Sequence, residues 1–253
     1  MKLKIYPTAI LMMAMLILTA CDTTPDGSLS TGPVYTGSDS FNDLTVMNDM
    51  FYLTNFDLNE GSGNRIYLYS FDENGNPGSL YDLQMNGQGY ISISSGDGDL
   101  FLFCQTTGLL LRVTPFGEYL ATNWPGSAFI GWQAGGILSL PGDEYCVLLW
   151  KDDGHIKICS LDPVTLELED DNSIQVPDRF AFRSVCANVQ FDSLYVLCSD
   201  QNGADYVEIF DQGWVLLDEI TLTDSLVAGI SYYNGDIWVS TEDRRIVELS
   251  QVQ

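Results

Sequence analysis

Few residues of this chain have the types and spacing that chemistry needs. His155 is the only histidine, and it follows Asp152-Asp153-Gly154 in what reads as an exposed hairpin turn. One imidazole cannot build a multi-histidine metal site, and a thiol–imidazole couple would need His155 near a reactive thiol, whereas the strand positions of the cysteines favour burial. Asp72-Glu73-Asn74-Gly75-Asn76 has oxygen side chains at alternate positions, the spacing of a calcium loop. However, Pro77 stands where that loop turns on glycine, and Leu83 where it closes with glutamate. Turn formation alone explains the same residues. No nucleophile elbow, phosphate-binding glycine loop or CxxC pair occurs, and among 35 acidic residues the sequence selects no pair for glycoside hydrolysis. No catalytic residue, metal or non-covalent cofactor is therefore assigned.

Recognition chemistry is better represented. The segment from Asn123 to Gln133 holds Trp124, Phe129 and Trp132, and Pro177 to Arg183 holds Arg179, Phe180 and Arg183. Aromatic rings beside guanidinium groups suit a sugar, an aromatic ligand or an acidic peptide. The same aromatics could instead wedge between neighbouring structural units, and both readings stand at this point.

Cysteine chemistry divides in two. Cys21 closes an apolar run. The others are Cys104, Cys146, Cys159, Cys186 and Cys198. If hairpins turn near Asp153 and Asp192, Cys146 opposes Cys159 and Cys186 opposes Cys198. Either cross-strand disulfides or buried thiols fit these positions.

The elements that carry these residues repeat. Runs around Phe51, Phe101, Cys146, Tyr195 and Trp238 follow small turns and recur every 43 to 50 residues. Each has a short apolar run before it and another after it, and the first four repeats add a fourth. Four short strands per unit, separated by Gly, Asp and Asn, predict an all-β propeller with four-stranded antiparallel blades over residues 41–253. Five blades are counted, with six, one degenerate, as the alternative. The last repeat lacks a fourth strand, and residues 33–38 are placed to supply it.

Lys2 and Lys4 precede an uncharged run from Ile10 to Ala20, too short to span a bilayer comfortably, so residues 1–20 read as an export signal. The junction Leu18-Thr19-Ala20-Cys21 resembles the lipobox of bacterial lipoproteins. That resemblance implies cleavage before Cys21, lipid on its sulfur (commonly with an acylated amino group), and attachment in the cell envelope. Asp22 resembles the signal that retains such proteins in the inner membrane of enteric bacteria. Residues 21–40 read as the lipidated cysteine and a flexible tether, reaching roughly 25 Å over about 19 residues. Removing residues 1–20 takes away two of ten basic residues and no acidic ones, leaving a net charge of −27. Such a charge excludes nucleic acid as a partner.

Gly235-Asp236-Ile237-Trp238-Val239-Ser240 with Arg244-Arg245-Ile246-Val247-Glu248-Leu249 resembles a repeat of NHL-type and related six-bladed propellers. Gly98-Asp99-Leu100-Phe101-Leu102 with Leu111-Arg112-Val113 is a fainter copy. The expectation is a membrane-anchored recognition or scaffold module that binds an envelope protein or small ligand. The alternative is a propeller enzyme, lactonase-like or glycan-cleaving, using carboxylates or a metal in the central channel.

Overall fold

The computed structural model describes residues 26–29, 41–56, 65–86, 91–104, 107–124, 131–151, 153–176, 178–223, 227–241 and 245–251. Cys21 and the stretch 33–38 lie outside them. The fold is a five-bladed β-propeller. The first blade is β2 (Leu44–Met47), β3 (Met50–Phe56), β4 (Arg65–Asp72) and β5 (Pro77–Asn86). The second is β6 (Ile91–Gly96), β7 (Asp99–Cys104), β8 (Leu109–Val113) and β9 (Tyr119–Asn123). The third is β10 (Gln133–Leu140), β11 (Glu144–Trp150), β12 (His155–Leu161) and β13 (Leu168–Gln175). The fourth is β14 (Ala181–Ala187), β15 (Leu194–Ser199), β16 (Asp205–Phe210) and β17 (Leu216–Leu222). The fifth contains β18 (Val227–Tyr233), β19 (Asp236–Thr241) and β20 (Ile246–Gln251).

An upstream strand completes the fifth blade. β1 (Asp26–Leu29) pairs antiparallel with β20, Ser28 opposite Ser250. The closing segment is therefore 26–29, upstream of the stretch singled out in the sequence and inside the supposed tether. β1 also pairs in parallel with β17, so the fourth and fifth blades share one eight-stranded sheet. Two outer edges that would otherwise offer unpaired backbone groups are covered together.

Each strand alternates its side chains between the blade before and the blade after. On β7, Phe101 and Phe103 face the third blade while Leu100, Leu102 and Cys104 face the first. Because both faces are covered, the middle strands read as continuous apolar runs rather than alternating ones. Five apolar clusters result, one at each blade interface. The first-to-second-strand turns Asn48-Asp49, Asp97-Gly98 and Asn234-Gly235 have positive φ at both central residues, the geometry that matches strand twist in a two-residue hairpin. The third-to-fourth-strand turns are capped by side chains, as where Asp211 Oδ1 accepts from the N–H of Gly213 and Val215. These two sets of turns lie on one face of the disc, here the turn face. The second-to-third-strand turns and the blade-to-blade links lie on the other, the link face.

Deleting residues 26–29 exposes the edges of β20 and β17 together. The expected result is a melting temperature lower by roughly 5 °C or more, measured by circular dichroism. An unchanged transition would exclude this closure.

Candidate functional site

The five inner strands β2, β6, β10, β14 and β18 pack side by side around the axis. Counting back from each first turn, Asp43, Ser92, Gly136, Ser184 and Gly229 occupy one level of that ring. β10, β14 and β18 each carry a bulge just before it. Four of the five positions are Gly or Ser, which leaves room for one carboxylate at the centre. A Cβ on Gly229 would run into the carboxylate and Cα of Asp43.

Asp43 is fully buried and plugs the axis. Its Oδ1 accepts from Ser184 Oγ at 2.6 Å and from the Leu44 N–H at 2.9 Å, and its Oδ2 accepts from the Ile93 N–H at 3.0 Å. Ser184 Oγ in turn accepts from the Ile230 N–H. One carboxylate thus ties the first, second, fourth and fifth blades. Burial pushes its pKa up to about 7 against the lowering pull of these hydrogen bonds.

Below the plug, on the turn face, a cavity of about 190 Å³ is bounded by all five inner strands. Its polar lining is neutral: Thr45, Ser94, Ser95, Ser139, Ser231, Cys186 and Tyr232. Thr45 donates to Ser95 Oγ at 3.1 Å, and Ser95 donates to the Val46 carbonyl at 2.9 Å. These hydroxyls bind polar groups, but no base stands among them.

The sequence candidates separate on the link face. Trp124 is 66% exposed and Phe180 38% exposed. Trp132 is half-buried beneath Lys151, whose Nζ lies 4.3 Å from the ring centroid, with Lys157 at 5.6 Å. Phe129 lies outside the described residues. The two arginines are engaged by groups of the protein itself. Arg179 pairs with the buried Glu208 at 2.6 Å and with Glu219 at 2.7 Å, and stacks over Tyr206. Arg183 is the bulged residue of β14. It donates to the Val227 carbonyl at 2.6 Å and, through very short contacts, to Ser199 Oγ and the fully buried Asp205. Burial raises both carboxyls above the usual carboxylate range even with guanidinium partners beside them.

The five described cysteines are thiols. Cys146 faces Ser160 and Cys159 faces Val147, so the two lie one step out of register on opposite sheet faces. Cys186 opposes Tyr195, while Cys198 opposes Phe182 beyond the bulge. Neither proposed pair can bridge. Burial pushes the Cys104 thiol up to about 12, and Cys186 and Cys198 well above normal, which makes them unreactive packing groups. His155 opens β12 half-exposed, its Nδ1 2.9 Å from Asp153. Asp72 accepts from the N–H of Asn74 and Asn76 and from Asn76 Nδ2, so its oxygens hold the turn.

Sequence reading missed Asp43, Ser184, Asp205 and Glu208. A signal for Asp43 was present: aligning the five first strands places one acid in a column of Gly and Ser.

No family model matches the chain, and no curated protein matches it in sequence. Solved structures do match in shape. An exo-β-1,3-galactanase from Phanerochaete chrysosporium is similar at TM-score 0.61 and 10% identity, over 88% of this chain and 64% of that one. A GH43_1 enzyme from Xanthomonas citri has TM-score 0.59 at 10% identity, over 88% and 91%. A tail fiber of Staphylococcus aureus phage P68 has TM-score 0.55 at 12% identity, over 88% and 52%. What they share with this chain is the fold alone.

Two outcomes follow. A carboxyl whose folded pKa lies above its unfolded 3.8 stabilises the fold fully at low pH and loses that contribution as pH rises through about 7. The melting temperature therefore falls between about pH 4 and 7 on account of this group. Asp43→Asn lowers stability by about 1–3 kcal/mol, because an amide N–H₂ meets backbone donors. It also removes the Asp43 part of the pH slope. Separately, Arg183→Ala destabilises by about 3–5 kcal/mol in denaturant titration, since it leaves Asp205 buried and unpaired. Trp124→Ala stays within about 0.5 kcal/mol.

Proposed function

We propose that this chain is a lipid-anchored envelope lipoprotein whose propeller binds a protein or small ligand without reacting with it. The observation that carries binding over catalysis is the state of Asp43. It is the one carboxylate at the axis among the described residues, and protein donors occupy its oxygens. A hydrolytic propeller would need a second carboxyl converging there. The first-blade carboxylate instead closes the channel, so ligands meet the rims of the disc.

On the link face, exposed Trp124 and Phe180 with the lysine-capped Trp132 form the recognition surface. Arg179 and Arg183 shape it indirectly by bracing the fourth blade. The lipobox-like junction at Cys21 supports acylation there, and Asp22 supports retention in the inner membrane facing the periplasm. The net charge of −25 argues for a protein or small-ligand partner and against nucleic acid. The NHL-like phrase in the fifth blade accords with a module of this kind.

Intact-envelope crosslinking followed by pull-down tests the reading. Wild-type protein should label with palmitate, fractionate with membranes and capture a defined partner. Cys21→Ser should lose the label and move to the soluble fraction. Trp124→Ala should stay membrane-bound and lose capture at least about tenfold, a 1.4 kcal/mol effect. Capture that is indifferent to Trp124, or membrane attachment that persists in Cys21→Ser, would overturn it.

A further inference from the structure

The third-to-fourth-strand turns share one device, and its variation singles out one blade interface. In each turn a residue with positive φ donates its N–H back to the carbonyl of the capping residue. These pairs are Gly75 to Asp72, Gly117 to Thr114, Leu166 to Asp162 and Trp214 to Asp211. That position points toward the preceding blade. Gly117 lies against Tyr81 of the first blade, leaving no room for a side chain. Leu166 is fully buried in the cluster between the second and third blades.

Trp214 breaks the pattern. It packs on Phe210 at 5.9 Å between centroids and is only half-buried, because beside it a cleft of about 450 Å³ separates the third and fourth blades on the turn face. The fourth-blade side also carries Phe191, another large aromatic held at positive φ, 58° against 61° for Trp214, while Leu140, Glu144, Cys146, Ile158 and Asn172 line the third-blade side. Bulky residues rarely adopt that conformation. Asn188 fixes the turn around Phe191 by accepting from the N–H of Asp192 and Ser193 and donating to the Asp192 carboxylate. Both aromatics are therefore set by braced turns, with Trp214 also packed on the apolar cluster between the two blades.

The polar groups at this cleft are Asn172, Gln212 and Glu144. Asn172 Oδ1 accepts from the Ser173 N–H, which leaves its N–H₂ as a donor. Among the described residues no Lys, Arg or His lines the cleft, so the lining offers a phosphate or carboxylate ligand no counter-charge. Aromatic faces beside amides and one carboxylate match a pyranose, whose C–H faces lie on rings while its hydroxyls exchange hydrogen bonds with amide and carboxylate groups. The volume falls within the about 300–1,000 Å³ of small-molecule sites.

We propose that the cleft between the third and fourth blades binds a neutral saccharide through Trp214 and Phe191, with Asn172, Gln212 and Glu144 fixing its orientation. The site stands on the face opposite Trp124 and does not depend on the link-face reading.

The test is calorimetric and tryptophan-fluorescence titration of the purified protein with a panel of neutral cello-, xylo-, manno- and chito-oligosaccharides. Toluene serves as an apolar control. At least one oligosaccharide should bind with a sub-millimolar Kd and perturb tryptophan emission. Trp214→Ala should weaken it at least about tenfold, and the exposed pair Gln212→Ala and Asn172→Ala about fivefold each without shifting the melting temperature. Trp124→Ala should leave saccharide binding unchanged, which separates this site from the link-face surface. The proposal is overturned if no oligosaccharide binds, if only toluene binds, or if binding survives both exposed substitutions with the fold intact.

Discussion

Five strands that must meet around one axis cannot all present side chains there, and the propeller resolves that crowding with a single carboxylate. At the level of Asp43 the other four positions shrink to Ser92, Gly136, Ser184 and Gly229. The bulges before three of them turn the chain so that the small residue faces inward. The backbone N–H groups of Leu44 and Ile93 then find an acceptor at the hub. An apolar side chain of similar size would leave those interactions unmade at the most enclosed point of the molecule. Blade registers are set relative to this point.

Burial of both faces of every blade follows from the same geometry. The apolar clusters lie between blades, so each strand contributes to two of them. The buried carboxylates of the fourth blade have guanidinium partners, Asp205 with Arg183 and Glu208 with Arg179, and these brace that blade beside the interface that carries the cleft. The remaining acidic residues give the chain its formal net charge of −25.

How much of this was legible in the sequence depends on how local each signal is. Blade repeats were readable because a turn such as Asn234-Gly235 and its flanking apolar runs are set within about ten residues. The cysteine pairings failed by parity. A hairpin centred on Asp153 sets Ser160 opposite Cys146, so Cys146 and Cys159 fall on opposite faces, and a bulge at Arg183 displaces Cys198 relative to Cys186. Arg179 and Arg183 looked like ligand groups because their carboxylate partners, Asp205, Glu208 and Glu219, lie some 20 to 40 residues away. Asp43 looked like any acid before a strand, since its importance arises only when five blades meet. Trp214 gave no sign at all, because a tryptophan in a left-handed turn is not a sequence pattern.

The pairing of β1 with β20 joins segments about 220 residues apart in the chain, and that sets an order in time. Blades one to four can each form from contiguous strands soon after they emerge. The fifth waits for both ends. The ring therefore stays an open crescent until the last strand arrives, with the edges of β17 and β20 exposed and the hub short of the N–H that Ile230 gives to Ser184. A loop this long closes slowly. Closure is the moment at which the protein stops being a row of hairpins and becomes a wheel.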